Sequence, residues 1–138
     1  MYNEKIILVV FPDLDDRNIR IELDGSLSPK TFQAIIDHLP IEVKINKWGD
    51  ELYTDPTAID VEKDDNAKTE VKELDVAFWP QGRAICLFYG PTPISKNEKI
   101  LAYSPVNIVG RIIDYSKRFD ILNQIKVKTN VIIKQSEG

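Results

Sequence analysis

Residues 84–89, Ala-Ile-Cys-Leu-Phe-Tyr, are apolar without interruption, and this run constrains the fold more than any other segment. A strand with one face in water alternates polar and apolar side chains, so an unbroken apolar run predicts a strand covered on both faces. Pro80-Gln81-Gly82 separates it from a second apolar run at 76–79, which favours a hairpin. We therefore predict that this hairpin supplies a central strand of the fold.

The rest of the chain is dominated by short strand patterns separated by turn residues. In total, alternating or short apolar segments predict eight strands, at 6–11, 17–23, 41–45, 51–54, 76–79, 83–89, 106–112 and 126–134. Residues 55–75 are rich in charge and predict a solvated loop, and a second loop is expected at 90–105. So many short strands in a small chain favour a barrel or a sandwich.

One segment has the pattern of an amphipathic helix. Ser28 is a good N-cap residue, Pro29 suits the first helical position, and Pro40 ends the pattern. Between them, four apolar residues fall on one stripe: Phe32, Ile35, Ile36 and Leu39. A second, weaker helical pattern lies at 114–122.

Length and composition are those of an ordinary globular protein. The 138 residues are 43% hydrophobic and 29% charged, and we predict one domain spanning 1–138. A chain of this size buries about two-thirds of its surface on folding. The net charge of −4 argues against a dedicated nucleic-acid binder. The apolar run at 6–11 is too short for a secretion signal or a membrane span, so we predict a cytoplasmic protein that does not bind membranes.

Few residues carry obvious chemistry. One cysteine and one histidine exclude a disulfide framework and a zinc site with four Cys or His ligands. Cys86 lies inside the apolar run, where burial makes a thiol inert, and His38 lies in the last helical turn, where a cation complements the helix dipole. The acidic residues at 13–16 lack the glycine and distal glutamate of a calcium loop. We predict no catalytic residue, no metal and no cofactor.

Several segments resemble the cyclophilins. Pro-Lys-Thr at 29–31 resembles the start of their first helix, and Gly-Arg-Ala-Ile-Cys-Leu at 82–87 resembles their Gly-Ser-Gln-Phe-Phe-Ile strand. Residues 106–112 resemble a later strand. Two longer segments, 48–53 and 75–93, are similar to a family of small prokaryotic cyclophilin-like proteins without an assigned function. The resemblance implies a mainly β fold, a closed eight-stranded barrel with one clear and one short helix, in which the clear helix plugs one barrel end.

The residues that cyclophilins use to isomerise X–Pro bonds are largely missing from this chain. Their groove has an arginine on the prolyl amide, a glutamine, a phenylalanine-rich proline pocket, a tryptophan and a histidine. Here residues 41–54 contain no arginine, the Gln-Phe-Phe segment corresponds to 84–86, and no histidine follows His38. The lysines in 41–54 do not replace a planar guanidinium. The resemblance therefore predicts the barrel without efficient isomerase activity.

Our leading hypothesis from the sequence is a non-catalytic module that binds a peptide or small ligand in the outer groove of the barrel. Aromatic residues near strand ends supply apolar contact area, and one cation and one acid orient a polar ligand. The predicted groove residues are Trp48, Glu51, Tyr53, Phe78, Arg83 and Tyr103.

Two alternatives remain open at this point. The first is a weak prolyl isomerase with a rebuilt site, in which Arg83 replaces the missing arginine. The second is self-association, because the loop at 91–105 is apolar and contains prolines that would stiffen it against a second copy.

Overall fold

Nine strands and one α-helix make up the regular structure of the described residues, 4–113 and 124–136, in the computed structural model. In chain order they are β1 (Glu4–Phe11), β2 (Arg17–Asp24), α1 (Pro29–His38), β3 (Ile41–Trp48), β4 (Glu51–Thr54), β5 (Lys68–Val71), β6 (Asp75–Trp79), β7 (Ala84–Phe88), β8 (Ile100–Ile112) and β9 (Thr129–Gln135). A 3-10 turn at Pro12–Leu14 joins β1 to β2. The short helix predicted at 114–122 lies outside the described residues.

Eight of these strands form a closed antiparallel barrel. Their order is β2-β1-β9-β3-β4-β7-β6-β8, and a ladder between β8 and β2 closes the circle. The ninth strand, β5, lies outside the barrel and pairs with the first part of β8. The prediction of a mainly β, closed eight-stranded barrel is confirmed.

The barrel has two short ladders. Between β2 and β8, and again between β4 and β7, three residue pairs face each other, whereas every other ladder of the barrel has at least four. In the first of them Leu23 faces Gly110. A Cβ atom at Gly110 would lie 2.2 Å from the carbonyl oxygen of Glu22. The missing side chain therefore allows the close approach that closes the barrel.

We expect Gly110→Ala to lower the free energy of unfolding by about 2 kcal/mol. The added methyl group meets backbone atoms rather than a flexible side chain, so β2 and β8 must move apart. Urea denaturation followed by tryptophan fluorescence measures the change. An unchanged unfolding midpoint would show that the close contact between β2 and β8 at Gly110 is not required for the barrel to close.

The barrel interior holds the main core, and α1 closes one of its ends. Alternate strand residues point inwards, as Ile85 and Leu87 do in β7. The predicted helical stripe is buried in this core or packed against it, which confirms the barrel plug: Phe32, Ile35, Ile36 and Leu39. α1 has ten residues, and the described part of the chain contains no helix long and apolar enough to cross a membrane.

A buried polar network ties the charged segment at 55–75 to the end of the barrel. The Asn107 amide, 1% exposed, donates to the Thr31 hydroxyl at 3.1 Å and to the Glu62 carbonyl at 3.0 Å. Its oxygen accepts from the Asp64 amide at 2.9 Å. Ser28 is the N-cap residue of α1, as predicted, and its hydroxyl bonds the Asp64 carboxylate rather than a backbone amide of the helix. Each buried polar group gains a partner, which offsets the cost of its burial.

The segment at 55–75 is less solvated than its composition suggests. Ile59 is fully buried in the main core, and Val61 packs against that core. The segment also contains the short strand β5, whereas residues 57–61 have no strand pairing. The loop is therefore anchored by apolar contacts as well as by the Asn107 network.

A second apolar cluster covers the outer face of the central hairpin. β8 begins at Ile100 rather than at 106, so the predicted loop at 90–105 is shorter than expected. Strand β5 and the first part of β8 lie over β6 and β7. Side chains of all four strands are buried between these two layers: Val71, Ala77, Cys86, Phe88, Ala102 and Val106. This outer cluster explains why residues 84–89 are apolar on both faces.

Candidate functional site

A pocket of about 330 Å³ opens on the outer wall of the barrel, where β4 and β7 lie side by side. It borders the outer cluster, because Cys86, Ala102 and Val106 belong to both. The lining residues come from five strands: Trp48, Glu51, Tyr53, Trp79, Cys86, Ala102, Tyr103, Ser104 and Val106.

The turn between β3 and β4 positions two of these residues, Trp48 and Glu51. Gly49 has φ +60°, a conformation that side chains other than glycine rarely adopt. The Asp50 amide donates to the Pro91 carbonyl at 2.8 Å, and the Asp50 carbonyl accepts from the Tyr89 amide at 2.9 Å. The turn is thus fixed against the end of β7, which places Trp48 beside the pocket.

Three of the four aromatic residues that line the pocket form ring–ring pairs, with Tyr103 between Trp48 and Trp79. The Tyr103 ring centroid lies 6.1 Å from that of Trp48 and 5.9 Å from that of Trp79, with interplanar angles of 73° and 75°. Edge-to-face pairs of this kind are favourable beyond their buried area. The Trp79 indole N–H donates to the Ser104 hydroxyl at 2.6 Å, and that hydroxyl donates to the Gln81 side chain. The hydrogen bond fixes the orientation of the Trp79 ring.

Glu51 contributes a buried carboxyl to this aromatic pocket. It is 6% exposed, and loss of water around it raises its pKa from 4.5 to about 7, although a hydrogen bond with the Cys86 thiol acts in the opposite direction. None of the described lining residues is Lys, Arg or His. The pocket therefore combines apolar walls with one acid that is poised between its charged and neutral forms near pH 7.

Cys86 and His38 occupy the environments that their sequence positions predict. The Cys86 thiol is buried, and burial together with the nearby Glu51 carboxylate raises its pKa well above the usual value. His38 is exposed in the last turn of α1, with Nδ1 2.7 Å from the Ala34 carbonyl oxygen. Among the described residues, no group of three or more His, Cys, Asp or Glu side chains is arranged to hold a metal ion.

Comparison with known proteins identifies the family to which this barrel belongs. A family model described as cyclophilin-like matches residues 7–134. The chain belongs to the cyclophilin-like family. The search of curated proteins gives no match. Among solved structures, the solution structure of the hypothetical protein AF2241 from Archaeoglobus fulgidus is 36% identical, with 99% of this chain and 98% of that chain covered and a TM-score of 0.78. The predicted resemblance is confirmed for the family and for the fold.

Within this cyclophilin-like barrel, four of the six predicted groove residues lie together. The aromatic pocket contains Trp48, Glu51, Tyr53 and Tyr103. Phe78 is fully buried and points into the main core, so it does not line the pocket. Arg83 lies in the turn before β7, with its guanidinium 3.7 Å from the Asp60 carboxylate and exposed to solvent. The predicted pairing of Arg83 with Glu51 around one ligand is therefore not found in this structure.

Five lining residues were not in the predicted set: Trp79, Cys86, Ala102, Ser104 and Val106. Strand alternation indicates that Phe78 and Trp79 do not both line one groove, but it does not indicate which of the two does. Ala102 and Ser104 could not be found from the sequence, because it predicts a loop where β8 begins.

Proposed function

We propose that this cyclophilin-like chain is a ligand-binding module and that the aromatic pocket is its binding site for a short peptide or a small molecule. The observation that carries the proposal is one pocket lined by three aromatic rings in mutual contact and by the buried side chain of Glu51. Apolar walls with a few converging polar groups are typical of ligand sites.

The exposure of Tyr103 supports a role in ligand binding rather than in the packing of the protein core. Tyr103 contacts both tryptophan rings and is nevertheless 68% exposed. A large aromatic side chain held at the rim of a concave apolar surface gives a ligand area to bury. The volume of the pocket is at the lower end of the range of ligand sites, about 300–1,000 Å³, which suits a small molecule or one or two side chains of a peptide.

The residues that line the pocket support ligand binding rather than prolyl isomerisation as the proposed function. The described residues that line it include no cation, and Arg83 pairs with Asp60 away from it. The rebuilt-site alternative needs a guanidinium beside the prolyl amide. We therefore treat isomerase activity as an outcome of the binding experiment rather than as a second proposal.

We expect Tyr103→Leu to weaken ligand binding at least fivefold without unfolding the barrel, because one aromatic wall is lost while an exposed residue is changed. The probes are a panel of X-Pro peptides and small amine, amide and aromatic compounds, titrated into ¹⁵N-labelled protein. The chain has two tryptophans, and both line the pocket, so their two indole N–H signals report occupancy.

Arg83→Asn is the matched control, because Arg83 has φ +52° and asparagine tolerates that conformation. We expect it to bind as the parent protein does. Shifts that spread over other surfaces while both indole signals stay unchanged would overturn the proposed site. Accelerated cis–trans exchange of a peptide that Arg83→Asn abolishes would assign the protein to the isomerases instead.

A further inference from the structure

We propose that the aromatic pocket selects an organic ammonium ion, with Trp48, Trp79 and Tyr103 around the cation and Glu51 as its counter-charge. The inference rests on the proposed binding function and names the chemical class of its ligand. Either a free small molecule or the side chain of a modified lysine in a peptide presents such a group.

The arrangement of the rings is the first argument. Tyr103 stands at 73° to Trp48 and at 75° to Trp79, so its ring is steeply inclined to both tryptophan rings and the three do not form a flat stack. A compact cation beside such rings approaches more than one ring. The negative face of each aromatic ring attracts a cation, most strongly for tryptophan, and cages of this kind recognise quaternary ammonium groups.

The charge of the pocket is the second argument. Glu51 is nearly buried, and its side-chain partner is the neutral thiol of Cys86. A buried carboxylate without a cation is costly, and none of the described lining residues supplies one. A ligand that carries an ammonium group supplies the missing charge. A neutral ligand leaves the carboxylate unpaired, and an anionic ligand is repelled by it.

The ligand probes are choline and 3,3-dimethyl-1-butanol, which has nearly the same shape without the charge. We expect choline to bind at least tenfold more tightly at pH 8, as measured by the two indole signals and by calorimetry. Glu51→Gln should reduce this preference to the part that the aromatic rings supply. Glu42→Gln, which changes the same charge at an exposed position of β3, should leave it intact.

The pH dependence of the binding affinity distinguishes a cationic ligand from a ligand that binds through a carbonyl group. Besides Glu51, the ionisable lining groups are the Cys86 thiol and the Tyr53 and Tyr103 phenols. If ionised Glu51 holds the ligand, choline affinity should rise roughly tenfold from pH 6 to pH 8, because deprotonation and binding are linked. A carbonyl ligand that accepts a hydrogen bond from protonated Glu51 would show the opposite trend. That trend for choline would overturn the inference.

Two further arms complete the test. A pentapeptide with a central trimethyllysine is compared with choline, and tighter binding of either one identifies the source of the ammonium group. Tyr103→Phe should retain choline binding, whereas Tyr103→Leu should lose it. Equal binding of choline and its neutral analogue would overturn the ammonium proposal and leave the binding function standing. If neither probe binds and the panel of peptides and small compounds also fails, the binding function itself is wrong.

Discussion

Phe78→Ala is expected to lower the free energy of unfolding by about 3–5 kcal/mol. Phe78 is fully buried in the barrel core, and truncation leaves a cavity that the closed strands cannot collapse to fill. Guanidinium or urea denaturation measures the change. Because the sequence alone places Phe78 in the groove, the result separates a core role from a binding role.

Tyr103→Ala is the comparison for this prediction. Its ring lies on the outside of the barrel and is mostly exposed, so we expect the free energy of unfolding to fall by about 1 kcal/mol or less. Ligand binding should show the reverse order, with a larger loss for Tyr103→Ala than for any Phe78 variant that stays folded. Equal, small losses of stability in both variants would contradict the assignment of Phe78 to the core.

Glu51→Gln is expected to raise the free energy of unfolding at pH 8 by about 2–3 kcal/mol. Burial raises the pKa of Glu51 from 4.5 to about 7, so the folded state binds its proton more tightly than the unfolded state does. Stability from this proton is fully present below pH 4.5 and is lost as the pH rises to about 7. Glutamine is neutral throughout, so the variant avoids this loss.

The difference in the free energy of unfolding between the parent protein and Glu51→Gln isolates the contribution of Glu51 from that of the other acidic residues. Denaturation curves at several pH values should give nearly equal stabilities at pH 4 and a gap that widens up to pH 8. Glu42→Gln, at an exposed site, should show no such gap. A gap that is independent of pH would mean that the carboxyl of Glu51 is not held in its protonated form by burial.

The alternation of strand residues explains both the successes and the errors of the sequence prediction. Glu51 and Tyr53 are two residues apart in β4 and share the outer face, so both line the aromatic pocket, and the sequence prediction also groups them. Phe78 and Trp79 are adjacent and face opposite sides. The sequence shows that the hairpin is apolar on both faces, but not which face is the barrel interior. The sequence prediction therefore assigns Phe78 to the groove, whereas the structure places Trp79 at the pocket.

Pairing between strands that are distant in the sequence accounts for the other differences between the sequence prediction and the structure. Pro105 suggests the end of a loop, because proline is unfavourable within a strand. β8 nevertheless runs through it, and changes its partner from β5 to β6 just beyond it. Tyr103 thereby reaches the pocket from a strand. The position of Arg83 depends on the left-handed turn that precedes β7, and no local pattern in the sequence specifies that turn.

The two short ladders divide the barrel into halves. One half contains β2, β1, β9, β3 and β4, and the other contains β7, β6 and β8 with β5 attached. The aromatic pocket straddles the β4–β7 boundary, with Glu51 on one side and Cys86 on the other. A molecule bound there would contact strands on both sides of one of these two short ladders. If the pocket binds a ligand, binding would therefore oppose local opening of the barrel at the β4–β7 ladder.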